Sequence, residues 1–405
     1  MATTDVSFAP HPHASPATPA AMPPALLNVC FVLCVLNAAF FPAAFMAHWW
    51  IIDAAGHGIP TDFINVYSAG MLARDGVPAQ AWDWGLQKQI QIAVLGQSYE
   101  GNFAWHYPPP FLFVAKALAH LPYVAAYIGW AAISFVPFAF AMRAVVGRPL
   151  GWLLAGACPV VLTNVLVGQN GFLTASLIGG FLILLPMRPI LAGICLGLLS
   201  YKPQYGLLFP LVLIATAQWR AFMSAGVTVA ILVAVSWLAF GTDSWQAFFH
   251  WMPMVSQAFL VEGRAPWFKL QSLYAMVRFL GGGETLGWTL QYALIAAVVV
   301  TMVVLWRSRV RYALKAAGLA CGTLLVTPYL FLYDVMVLAI AVGFLVRLGL
   351  AHGFLSNELA ALGLVAVLLL SYIVLGIPTG LLATLIVSAL IARRCMTPMK
   401  SDRLT

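Results

Sequence analysis

Five short polar constellations break an otherwise apolar chain, and their residue types suit proton abstraction from a hydroxyl and recognition of a phosphate. The first is Thr61-Asp62-Phe63, followed by Tyr67, Ala69, Gly70 and Gly76. An aspartate takes a proton from a hydroxyl when the fold holds it within hydrogen-bond reach. Thr61 and Asp62 are also good helix N-cap residues, so capping is the competing reading. In the second, His106-Tyr107-Pro108-Pro109-Pro110, the prolines make a rigid helix start in any case, and His106 and Tyr107 are candidates to line a site. The third, Gly168-Gln169-Asn170, reads as a tight turn. A buried amide in hydrocarbon nevertheless needs a partner, and a polar ligand could supply one for Gln169.

The fourth, Tyr201-Lys202-Pro203-Gln204, puts a lone lysine at the end of an apolar run where topology disfavours a cation. A lipid-borne phosphate facing Lys202 accounts for it, as does snorkelling to the interface. In the fifth, Thr327-Pro328-Tyr329 through Tyr333-Asp334, the acid opens a helix and serves either as a cap or in a site. Lys269, Gln271 and Ser272, with Arg264 and Arg278, add polar and basic groups that bind phosphate or face solvent. Absences narrow the chemistry. There is no Asp-x-Asp pair for a metal-bridged nucleotide-sugar diphosphate, no phosphate-binding G-x-x-x-x-G-K-[ST] loop, no H-E-x-x-H and no G-x-S-x-G. Any sugar donor is therefore expected to be lipid-borne, with no metal and no cofactor. The six cysteines lack metal-like pairing and read as packing residues.

The elements that must position these groups are membrane helices. Of 405 residues, 62% are hydrophobic and 8% charged, with a mean hydropathy of +0.93; soluble chains are about 25% charged. The net charge of +8 is spread singly or in pairs at the ends of apolar runs, which fits topology signals and excludes a nucleic-acid partner. Residues 1–23, with His11 and His13, read as a disordered tail, 24–393 as the transmembrane domain and 394–405 as a cytoplasmic tail. Expected spans are the run from Pro24 to Ile52 and segments near 123–142, 149–168, 171–187, 189–202, 205–219, 221–241, 286–306, 313–331, 334–350, 354–376 and 379–393, about twelve in all. Outer loops cover 53–107 and 241–284, and Pro108 to Pro122 reads as a re-entrant or interfacial helix. Placing both termini in the cytoplasm puts 13 of the 20 cations inside and nine carboxylates outside, among them Asp62 and Asp334.

The order Asp62-Phe63 with Tyr67 and Gly76, Tyr107-Pro108-Pro109, Leu121-Pro122, Gly168-Gln169-Asn170, Lys202-Pro203, and Pro328-Tyr329 with Tyr333-Asp334 resembles glycosyltransferase family 87 over roughly residues 25–350. These are polyprenol-phosphate-mannose-dependent mannosyltransferases of the GT-C superfamily. The resemblance implies an all-α polytopic fold, a catalytic aspartate in the first outer loop, here Asp62, and a donor sugar on a polyprenyl monophosphate. Chemistry then suggests donor-phosphate binding by Lys202, Lys269 and Arg264. Substrate contacts are expected at Tyr67, His106, Tyr107, Gln169, Asn170, Gln204, Tyr333 and Asp334.

The expected reaction is an inverting displacement in which Asp62 deprotonates a hydroxyl of a glycolipid or glycan acceptor, which takes up a hexose, mannose foremost. It is expected at the outer, periplasmic side of a bacterial-type plasma membrane, with the bilayer as a further partner. The alternatives are another lipid-linked sugar or a secondary transporter. Against the latter, the ionisable groups cluster at one face rather than the midplane, and no motifs recur between the two halves.

Overall fold

The structure, a computed structural model, describes residues 23–397; His11, His13, Lys400 and Arg403 of the expected tails lie outside the described residues. Helix α1 (Pro24–Met46) begins on a proline, whose missing N–H costs nothing in the first turn. The chain then leaves the bundle for a segment carrying α2 (Phe63–Arg74), α3 (Trp84–Leu95) and, after a tight turn at Pro109–Phe111, α4 (Leu112–Leu118). It re-enters through α5 (Tyr123–Val146) and a pair, α6 (Leu150–Ala157) and α7 (Val160–Val167), bent by 59°. The bend falls at Cys158-Pro159, where the proline ring forces the residue before it into an extended conformation. There follow α8 (Gly171–Leu184), α9 (Pro189–Leu198), α10 (Leu208–Ala215), α11 (Trp219–Ser256), α12 (Leu273–Phe279), α13 (Glu284–Arg307), α14 (Tyr312–Val326), α15 (Val337–His352), α16 (Glu358–Leu375) and α17 (Thr379–Met396). Among the described residues there is no strand, only isolated bridges such as Leu270 to Phe331.

The protein is an all-α polytopic membrane protein. All twelve apolar segments expected from the sequence are helical, but they differ in length. Among the described residues, six helices (α1, α5, α11, α13, α15 with its lead-in, and α17) are long and apolar enough to cross a membrane alone, and the bent pair makes a seventh. The others, α8, α9, α10, α14 and α16, are apolar helices of 8 to 18 residues, mostly shorter than a hydrocarbon core of about 30 Å requires. The polar turns at Gln169 and Lys202 adjoin three of them, α8, α9 and α10.

Side-chain contacts define two ends of this bundle. At one, Leu26 of α1 packs with Val146, Leu150, Val346 and Leu350, Arg311 meets His352, and Arg394 of α17 pairs with Glu358 of α16. At the other lie α2 to α4 and the turns carrying Gln169, Lys202 and Asp334. Here a buried set of amides ties the polar segment together. Gln87 donates to the carbonyl of Ala81 at 2.9 Å and Gln91 to that of Phe103 at 2.8 Å, while the Ser68 hydroxyl bonds to Gln87. The stretch 241–284, expected as a loop, is helical in its first half. Gly241, at φ +77°, breaks α11, and a second helix continues to Ser256. The remainder is pinned by Gln271, whose N–H donates to Leu330 O at 2.6 Å and whose Oε1 accepts from the N–H of Gly380 at 2.7 Å. The stretch Pro108 to Pro122 holds only α4 and its leading turn, entering and leaving at this same end.

The Arg394 and Glu358 pair is bidentate, with both bonds at 2.6 Å, and buried. Removing one partner of such a pair leaves an uncompensated charge worth about 3–5 kcal/mol. Arg394→Met is therefore expected to lower the thermal midpoint in detergent markedly, and adding Glu358→Gln to recover most of the loss.

Candidate active site

Asp62 occupies the N-cap of α2, yet its side chain makes no capping bond. Its Oδ2 instead accepts from Gln169 Nε2 at 3.0 Å. The Oε1 of Gln169 accepts in turn from the Tyr107 hydroxyl at 3.1 Å and from the N–H of Asn170 at 3.3 Å. A chain of bonds thus runs from Tyr107 through one amide to the aspartate. The turn that delivers Gln169 needs its glycine. Gly168 has φ +68°, and a Cβ there would stand 2.5 Å from Phe63 Cβ and 2.9 Å from the Tyr127 ring. Tyr127 fixes the same turn by donating to Leu166 O at 2.6 Å. Tyr107 is held from the other side, where Trp82 Nε1 donates to its carbonyl at 3.2 Å.

Lys202 and Asp334 form a buried ion pair at 2.5 Å. Two breaks in helical structure bring them together: Lys202 sits where α9 gives way to Pro203, and Asp334 in the lead-in to α15. The pair forms part of the wall of a cavity of about 360 Å³. His106, Tyr107, Gln204 and Tyr333 complete its polar side, together with Tyr201 and Tyr329. Opposite them is an apolar wall of Trp82, Phe248, Trp251, Met252 and Val255. Asn170 is buried with neither carboxamide atom paired, and His106 Nδ1 is likewise unpartnered.

Burial raises the Asp62 carboxyl above the ordinary aspartate range, an effect offset in part by the Gln169 bond and by the charges of Lys269 and Lys202. Burial, together with the Lys202 charge, pushes the His106 imidazole down to about 4, so it is neutral at physiological pH. Burial and the Asp334 charge raise the Tyr107 phenol, which remains a donor.

Of the residues expected to act, His106, Tyr107, Lys202, Gln204, Tyr333 and Asp334 line one cavity, and Asp62, Gln169 and Asn170 stand behind Tyr107. Lys269 is exposed and acts on Asp62 through its field. Like Lys269, Tyr67 and Arg264 do not line the cavity. Tyr67 donates to Leu121 O at 2.8 Å and packs its ring against Tyr123, which is structural work. Arg264 is exposed, paired with Glu262 at 2.7 Å and set over the Trp84 ring. The apolar wall was not anticipated. Its residues 248, 251, 252 and 255 recur at helical spacing, a signal present in the Trp- and Phe-rich run after Gly241.

This arrangement defines a class: an all-helical membrane protein with an amphiphilic polar cavity at one end of its bundle, beside an uncapped carboxylate. Residues 105–328 match glycosyltransferase family 87, and the chain belongs to that family. It is a membrane glycosyltransferase. The matched span contains the turns of Tyr107, Gln169 and Lys202, whereas Asp62 and Asp334 lie outside it. Comparison with curated proteins and with solved structures gave no match.

Two outcomes follow. Lys202→Met or Asp334→Leu alone strands a buried charge and is expected to lower the thermal midpoint by the equivalent of about 3–5 kcal/mol; the double variant restores it without restoring transfer. His106 has a lowered pKa in the fold, so its contribution to stability is intact above about 6.5, the ordinary histidine value, and is lost as pH falls toward 4. His106→Gln is therefore expected to flatten the midpoint against pH over that window.

Proposed function

We propose that the chain transfers a hexose, mannose foremost, from a polyprenyl-phosphate donor to a hydroxyl of a glycolipid or glycan acceptor, with Asp62 as the base. The observation that carries this reading is the Asp62 carboxylate, released from capping and aimed by Gln169 beside a cavity that holds a buried lysine. Asp62 takes the proton of the acceptor hydroxyl. The oxygen attacks the anomeric carbon as the bond to the phosphate oxygen breaks, and that electron pair leaves on the phosphate. Inversion turns a β-linked donor sugar into an α-glycoside.

Lys202 offsets charge growing on the departing phosphate, and Lys269 adds its field. An incoming phosphate competes with Asp334 for the Lys202 ammonium, so donor binding exchanges one anion for another rather than burying a new cation. The opposed apolar wall suits the first carbons of a lipid attached to that phosphate. His106, neutral and with a free ring nitrogen, and Asn170 offer hydrogen bonds to sugar hydroxyls. The cation bias toward the far end of the bundle favours an orientation with that end in the cytoplasm and the cavity on the outer side.

The test is release of polyprenyl phosphate from radiolabelled polyprenyl-phosphate-mannose by purified protein, with membrane lipids of the producing cell as acceptor. Wild type is expected to transfer and Asp62→Asn to lose about 10²- to 10⁴-fold while folded. The acidic limb of the wild-type rate profile is expected above the ordinary aspartate pKa, because burial raises that carboxyl. Full activity in Asp62→Asn would overturn the assignment of the base, and turnover of other polyprenyl-phosphate sugars only would overturn mannose.

A further inference from the structure

We propose that the end of the bundle opposite the cavity carries a binding site for an anionic phospholipid, with one acyl chain between helices and its headgroup phosphate on arginines. An apolar groove of about 220 Å³ lies between α1, α5, α6, α15 and α16, lined by residues such as Leu26, Cys30, Leu154, Val346, Leu362 and Gly363. It runs from Val335, next to Asp334, toward the first turn of α1. Its wall is aliphatic along its length, which matches a hydrocarbon chain and offers a sugar nothing to bond. Gly363 faces open space: a Cβ added there meets no atom within 4 Å.

Charge at the mouth selects the occupant. Beside Leu26 pack Val146, Leu150, Val346 and Leu350, and Arg148 and Arg347 border this cluster. Arg148 reaches only the carbonyl of Leu350 at 3.4 Å, and Arg347 only that of Val145 at 3.5 Å. Neither has a carboxylate within ion-pair reach among the described residues, whose ion pairs are five and elsewhere. Arg143 adds a third cation one turn away. Glu358, the one carboxylate of this end among the described residues, is already taken up by both arms of Arg394. Two arginines holding nothing but long bonds to main-chain oxygen, above an open aliphatic slot, present a phosphate site with room for its tail. Each basic residue beside an anionic lipid surface strengthens attachment by about fivefold. The site is independent of which sugar the protein transfers.

Native mass spectrometry of the full chain, released from detergent after incubation with phosphatidylglycerol or phosphatidylcholine of identical acyl chains, tests this. Wild type is expected to retain phosphatidylglycerol at least about tenfold better, and Arg148→Gln/Arg347→Gln to lose that preference. Arg148→Lys/Arg347→Lys keeps it if charge is what matters, and Gly363→Leu, which fills the slot and leaves every arginine in place, lowers retention of the lipid. Unchanged circular dichroism and elution volume identify variants that fold. Equal retention of both lipids by wild type, an unchanged preference in the glutamine variant, or full retention by Gly363→Leu overturns the proposal. Occupancy of the groove by a second copy of the chain would appear as a dimer that phosphatidylglycerol does not disperse, and would overturn it as well.

Discussion

Two charges buried side by side are the constraint around which the cavity end is arranged. Lys202 and Asp334 lie 2.5 Å apart with almost no solvent contact, and a buried charge stripped of its partner is strongly destabilising. Lys202 reaches the pair from the junction between two tight turns that follow α9, and Asp334 from the tight helical lead-in to α15. Both junctions line the cavity, through Lys202, Pro203, Tyr333 and Asp334. An anionic ligand entering it meets a cation whose burial has already been compensated.

The same economy governs the aspartate. A carboxylate at a helix N-terminus is ordinarily taken by the free N–H groups of the first turn. In α2 it is not, because the Gly168 turn presses against Phe63 and brings the Gln169 amide to Oδ2. An amide passes on no charge, so it orients the carboxylate without neutralising it. Gln169 Oε1 also accepts a hydrogen bond from the Tyr107 hydroxyl, which fixes the orientation of that amide. Burial raises the carboxyl, and the Gln169 bond with the charges of Lys269 and Lys202 offsets that rise only in part.

Helical periodicity and charge placement made the helices and the two ends legible in the sequence. The short polar motifs located Asp62, Tyr107, Gln169, Lys202 and Asp334, since a polar residue in an apolar chain has few innocent explanations. Three features were not legible. Helix lengths depend on where turns dip between neighbours, so which of the shorter segments are broken was not readable. Tyr67 and Arg264 carry the right chemistry for a site but are consumed locally, by Leu121 O and by Glu262, and partners of this kind are set by packing. The apolar wall escaped because its residues are ordinary in composition; only their position opposite the ion pair gives them a role.

The distribution of charge over the whole molecule follows from these local demands. Among the described residues, all carboxylates except Glu358 lie in the polar segments near the cavity or in the lead-in to α15. The far end holds arginines in excess. The surplus cations thus stand remote from Asp62, across the thickness of the bundle. At that separation, well beyond a screening length of about 10 Å, their field does little to Asp62. The cations that do reach it are Lys202, which lines the cavity, and the exposed Lys269.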